Sequence, residues 1–326
     1  MKMIKLSALV VGTMALSSAA AAQTTWNMPV RSNPQNYMTQ NIQKFADDIA
    51  ERTDGNLQIE LHPADSLVPQ PDVLRAVRSQ QVQVGEYLMS MHSNRSAMFA
   101  VDSIPFLASS YEANRRLARA ARPAIKEQLS NSNVKLLFIQ SWPRQGFYVD
   151  KEVKTLSDFD GVKMRAYNPN TARLAELMGA TPVTVQQSEV PQAFSTGVVE
   201  AMITSPTTGI DTQAWDFVSH FYDVEAFITW NIVVVNQDVF ENLEEGTREA
   251  VMAAAEQAGK RAWRNAPEVT EKQIATLEEN GMTVSEPTEE MMAELREVGE
   301  TMLREWLEKT GAQGEEIIER YRASGE

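Results

Sequence analysis

The chain has 326 residues, 44 acidic against 30 basic side chains, and a formal charge of −14. That length suffices for two α/β lobes, and the acidity excludes a nucleic-acid partner, because phosphate contacts need a basic face. The absence of cysteine excludes thiol catalysis, thiolate metal sites and an acylated lipoprotein anchor.

Residues 1–22 read as an export signal: Lys2 and Lys5 open it, Leu6 to Leu16 is mostly apolar, and Ala20-Ala21-Ala22 supplies a small-residue cleavage site. The expected product is soluble, cleaved near Ala22, not lipidated, and periplasmic. Thr24 to Val30 then reads as a strand. Asn33-Pro34 announces a helix with Ile42, Phe45, Ala46 and Ile49 on one face. Asp54-Gly55 is a turn, and Leu57 to Leu61 alternates as a strand. Pro71 to Ser79 is helical, Val82 to Tyr87 strand-like, Tyr111 to Leu129 a longer helix, and Val134 to Ile139 a buried strand. Gly161 to Arg165 and Ile232 to Val235 add strands. Glu244 to Leu277 and Pro287 to Arg322 read as two long amphipathic helices, separated by a short strand-like run over Gly281 to Val284. This order predicts an α/β fold with mostly parallel sheets and helices on their faces.

Residues 158–206 carry the chemistry. Arg165 ends a strand, and a helix follows at once, with Asn168 as its cap, Pro169 in its first turn and Gly179 at its stop. A guanidinium fork beside free backbone N–H groups favours a carboxylate. The expected task is therefore to hold an organic anion. An enzyme lacks a constellation here. His62, His92 and His220 have no metal-type spacing, and no nucleophile elbow, P-loop or dinucleotide glycine pattern is present.

Several segments together resemble the periplasmic substrate-binding proteins of TRAP (tripartite ATP-independent periplasmic) transporters, the DctP family. They are ERTDGNLQIELHPADSL, IPFL at Ile104 to Leu107, DFDGVKMR, MGATPV and SEVPQAFSTGVVEA, in the family's order and spacing. The resemblance implies a two-lobed periplasmic-binding-protein fold with a long helix crossing both lobes and C-terminal helices. It implies lobe I at 23–142 and 230–270 and lobe II at 143–229 and 271–326. It also implies a ligand in the interlobe cleft, closure on binding, delivery to the small and large TRAP membrane subunits, no catalysis and no cofactor.

Carried over by position, the resemblance makes Arg165 the carboxylate clamp. Arg144 or Gln145 takes a second clamp position, with the choice open between them. Asn168, Thr204 and Ser205 fall at polar pocket positions, Thr204 stands where relatives usually have asparagine, and Gln187 matches a place where other members have an aromatic. Trp142, Trp230, Asn231, Glu86 and Tyr87 fall at cleft-facing positions, with Tyr87 better suited to stacking than Glu86. Trp142, Tyr87 and Trp230 beside one clamp imply a monocarboxylate with an aromatic or apolar body. A ligand-presenting sensor subunit is the alternative role, and a secreted lyase or hydrolase the alternative class. The protein is expected as a monomer or as a homodimer through the C-terminal helix.

Overall fold

A computed structural model describes residues 23–325; the export signal read at 1–22 lies outside the described residues. In chain order the elements are β1 (Thr24–Pro29), α1 (Tyr37–Arg52), β2 (Leu57–His62), α2 (Val73–Arg78), β3 (Val84–Leu88), α3 (Tyr111–Ser130), β4 (Val134–Ser141) and β5 (Gly146–Val149). Then come β6 (Lys163–Ala166), α4 (Pro169–Leu177), β7 (Thr181–Thr184), α5 (Val190–Ser195), β8 (Ala201–Thr204), α6 (Pro206–Asp211), β9 (His220–Tyr222) and β10 (Trp230–Asn236). The chain closes with α7 (Gln237–Glu241), α8 (Glu245–Glu279), β11 (Thr283–Ser285), α9 (Glu289–Thr310) and α10 (Ala312–Ala323).

The first lobe holds the β1–β2 pair and a sheet ordered β3-β10-β4; the second holds a sheet ordered β11-β9-β5-β8-β6-β7. The expectation of mostly parallel sheets fails in an informative way. β10 runs antiparallel to both β3 and β4, and β5 runs antiparallel to both β8 and β9. Every other pairing is parallel. β5 and β10 are the strands that follow the two crossings made directly from a strand of one lobe to a strand of the other. Each enters its sheet from the other lobe, at a central position, and so runs against its neighbours.

Period-2 alternation sorts each strand's side chains. On β3 and β10, Tyr87, Trp230, Ile232 and Val234 pack under α2 and α3, while Val84, Val233 and Val235 pack on the opposite face against α1 and α8. The second lobe has the same two-faced arrangement: Phe147, Met164 and Ile203 pack on one side, Tyr148, Met202 and Phe221 on the other.

α8 joins the lobes over 35 residues, about 50 Å at 1.5 Å per residue. Its first half buries Val251, Ala254, Ala255 and Ala258 in the first lobe, and Leu277 near its end packs in the second. Pro267 lies between the two halves. Proline has no N–H to give the preceding turn, so this is where the helix bends most cheaply.

The C-terminal stretch expected as one helix is two. Gly311, with φ 56° and ψ −142°, adopts a backbone that other residues resist, and the chain turns there between α9 and α10. Met291, Leu295, Val298 and Met302 of α9 pack in the second lobe, while Trp306 and the Ile317–Ile318 pair of α10 pack in the first. Residues 312–323 therefore sit against α3 rather than with the second lobe to which 271–326 was assigned. Among the described residues no helix is long and apolar enough to cross a membrane.

Candidate functional site

The lobes meet over a small, nearly filled cavity of about 10 Å³, walled by Arg31, Leu88, Trp142, Gln145, Tyr167, Thr204, Ser205, Thr208 and Thr229. First-lobe, second-lobe and crossing residues all contribute. Arg165 of β6 and Tyr167, just past the end of that strand, stand two residues apart. The Arg165 guanidinium lies over the Tyr167 ring, 5.3 Å from its centroid. Arg165 is 1% exposed and donates through Nε to the Val185 carbonyl (3.0 Å). Nη1 and Nη2 have no protein partner. Burial, then the like charge of Arg31, lowers its pKa to about 9. A buried guanidinium without a carboxylate partner is costly.

Arg31, which reasoning from the sequence missed, faces this space from the first lobe. It follows β1, and its guanidinium stands over the Trp142 indole, 5.4 Å from the centroid. Burial lowers its pKa, partly offset by Glu86 and Asp65. Trp142 is fixed by a relay: its indole N–H donates to Asn231 Oδ1 (2.7 Å), Asn231 Nδ2 donates to Glu86 Oε1, and Glu86 Oε2 accepts from the Arg31 backbone N–H (3.0 Å). Burial raises the Glu86 pKa. Glu86 and Asn231 thus act behind the cavity wall, orienting Trp142 and the Arg31 backbone.

Of the two residues expected at the second clamp position, Gln145 is the one on the cavity wall. Gln145 lines the cavity, and its Oε1 accepts from the Tyr167 hydroxyl (3.2 Å). Arg144 points elsewhere. It forks onto Asp223, with contacts of 2.6–3.0 Å, and also reaches Glu271 (2.7 Å) and Glu225 (3.3 Å). Its charge is consumed by these three acids, tying the start of β5 to the exit of β9 and to α8.

Tyr87 and Trp230 are corrections too. Both are core residues on the face of the first sheet turned from the cleft. Tyr87 packs edge-on to His92 at 4.9 Å, and Trp230 donates its indole N–H to Asn114 Oδ1 (2.6 Å). Their strand neighbours Glu86 and Asn231 take the other face, as alternation requires. With these aromatics gone, Trp142 and Tyr167 are the aromatic residues of the wall.

The start of α4 does not serve the cavity. Asn168 Oδ1 accepts from the Thr171 N–H (2.7 Å) as a cap, while its Nδ2 donates across the cleft to Ser90 Oγ (2.8 Å). Asn170 donates to Ala100 O (3.1 Å) and Ser103 Oγ (3.0 Å) of the first lobe. This helix end is a docking point between lobes, not an anion cradle.

Thr204 and Ser205 do line the cavity, where β8 turns into α6, and Thr208 joins them one helical turn on. Gly209 has no side chain to clash with Tyr148, whose hydroxyl would lie 2.3 Å from an added Cβ, so α6 can lie flat on β5. Gln187 stands outside, on a second hollow beside Arg31, where its Nε2 donates to Asp211 (3.2 Å). Among the described residues no cluster of three or more His, Asp or Glu is placed to hold a metal.

Comparison with known proteins agrees with this geometry. Residues 30–310 match the family model of bacterial extracellular solute-binding protein, family 7, DctP. The chain is 41% identical to DctP7 of Bordetella pertussis, an extracytoplasmic solute receptor binding pyroglutamic acid, with TM-score 0.91 over 92% of this chain and 99% of that one. It is 38% identical to DctP6 of the same organism, also binding pyroglutamic acid, with TM-score 0.91 over 92% and 100%. A marine metagenome TRAP solute-binding protein specific for pyroglutamate is 36% identical, with TM-score 0.91 over 93% and 99%. The two-lobed fold and the match over most of its length place this chain in the DctP family: it is a TRAP solute-binding receptor for small acids, working with membrane subunits, and not an enzyme.

Proposed function

We propose that the receptor captures a compact monocarboxylate of the pyroglutamate class, with Arg165 and Arg31 holding the carboxylate. The carrying observation is Arg165: wholly buried between the lobes, with both Nη groups unpaired by protein. The rest of the wall supplies what a small cyclic amide acid needs. Gln145, Thr204 and Ser205 offer amide and hydroxyl partners for its ring N–H and carbonyl, and Trp142, Tyr167 and Leu88 offer flat apolar contact. Resemblance to three pyroglutamate receptors at 36–41% identity supports the same class.

In this reading the lobes divide near 142/143 and 229/230, with 1–22 directing export. Ligand shifts an open–closed equilibrium because both lobes contact it only when closed. The apolar faces of α9 and α10 are spent inside the chain, and only Leu67 and Val198 are large exposed apolar side chains among the described residues, which supports a monomer. The test is calorimetric titration of unfolded-and-refolded protein with L-pyroglutamate, D-pyroglutamate, L-proline, succinate, phenylpyruvate and gulonate. Tight binding of pyroglutamate over the aryl and sugar acids is expected. Equal affinity across the panel would overturn the proposal.

A further inference from the structure

One carboxylate gathers three amides where the lobes meet outside the ligand cavity. Asp211, the last residue of α6, accepts from Asn33 Nδ2 (3.1 Å) and Asn36 Nδ2 (2.9 Å) of the first lobe, and from Gln187 Nε2 (3.2 Å) of its own. The two first-lobe donors are aimed in advance. Asn33 Oδ1 accepts from the Gln35 N–H (2.9 Å) and the Asn36 N–H (3.0 Å), and Asn36 Oδ1 accepts from the Met38 N–H (2.9 Å) as the cap of α1. With each oxygen committed to backbone, only the amide N–H groups face the second lobe. Asp211 forms no salt bridge among the described residues, so its partners are these amides.

The position matters as much as the bonds. α6 spans only Pro206–Asp211. Ser205 and Thr208 at its start belong to the ligand cavity wall, and Asp211 at its end holds the opposite lobe. A shift of this short rigid piece moves both. Burial of the carboxylate is offset by the converging N–H groups only when the first lobe has arrived.

We propose that Asp211 is the latch of the closed receptor, a positioning residue that touches no wall of the ligand cavity and sets how long the acid stays bound. This rests on reading the chain as a receptor that closes over an acid. Asp211→Asn places an amide against three amide N–H donors. Stopped-flow release of L-pyroglutamate should then quicken by about tenfold or more, with association within about twofold of wild type. The melting temperature of the acid-free protein should stay within about 2 °C, which a merely structural residue would not allow. Asn33→Ala should act in the same direction, and the double variant should release no more than about twofold faster than Asp211→Asn alone.

Release within about twofold of wild type for Asp211→Asn, or independent effects of the two substitutions, would overturn the latch. The chain has no native cysteine, so spin labels on one introduced cysteine per lobe can report closure cleanly. In acid-free protein, Asp211→Asn should deplete the short interlobe distance. If wild type fails to bind L-pyroglutamate, the ligand assignment fails, and the acid-free distances alone decide the latch: an unchanged distribution overturns it.

Discussion

Replacing Arg165 gives the sharpest prediction. Its guanidinium is 1% exposed, with Nη1 and Nη2 unpaired by protein, and burial together with Arg31 lowers its pKa to about 9. A fall from the ordinary guanidinium value to about 9 weighs against the charged form by on the order of 5 kcal/mol. A bound carboxylate would recover most of that, since it supplies the missing counter-charge in a dry site. Arg165→Ala or Arg165→Met should therefore weaken L-pyroglutamate binding by about 2–5 kcal/mol, roughly 30-fold to several-thousand-fold. Arg165→Lys should recover only part, because an ammonium replaces the planar fork with a point charge. Calorimetry on refolded protein would measure this, with melting of acid-free protein as the folding control. Affinity within about twofold of wild type for Arg165→Met in folded protein would refute the reasoning.

Three further outcomes follow from neighbouring groups. Arg144→Ala should cost about 2 kcal/mol of stability in chemical denaturation. That is less than the ~3–5 kcal/mol of a fully buried broken pair, because Arg144 keeps 16% exposure; affinity should change less than about threefold. Trp142→Phe keeps a ring under Arg31 but loses the bond to Asn231, and should weaken binding by about 1–2 kcal/mol in the same titration. Asp102 is buried, holds the Trp230 N–H at 2.7 Å, and burial raises its pKa to about 7. The folded protein thus binds its proton more tightly than the unfolded chain, whose aspartate titrates near about 3.9. The stability this confers is full below about pH 4 and is lost as pH rises through about 7. Asp102→Asn should flatten that part of the stability–pH curve; an unaltered slope would count against the assignment.

Much of the fold was legible because its elements carry strong local marks. The Asn168 cap, Pro169 and Gly179 bounded α4 correctly, and the apolar run Ile232 to Val235 marked a strand. Strand direction was not legible, because β5 and β10 take theirs from the lobe they come from and not from their own residues. The break at Gly311 was visible as a glycine, but only its backbone angles show a turn. At the site, adjacent residues were nominated in pairs, Glu86 with Tyr87 and Trp230 with Asn231. Alternation allows only one of each pair to face the cleft, and it chose the polar one. Applied to Arg165, the same rule would have found Tyr167, two residues along the same face. Thr208 lies one helical turn beyond Thr204 and was findable by helical spacing. Arg31 left no local mark: its role depends on Trp142, more than a hundred residues away. Arg144 misled because its three acid partners come from distant parts of the chain.

In the proposed reading, Arg31 on the cavity wall and Arg165 over the Tyr167 ring also act as a check on what is carried. A neutral look-alike, such as the amide of the same acid, fails twice: it offers no attraction, and it leaves two like charges shut in together. The open form can keep both in water, so a true anion favours closure far more than a neutral molecule does. Selectivity is then exercised at the moment of closing, and false cargo is turned away before any membrane partner is engaged.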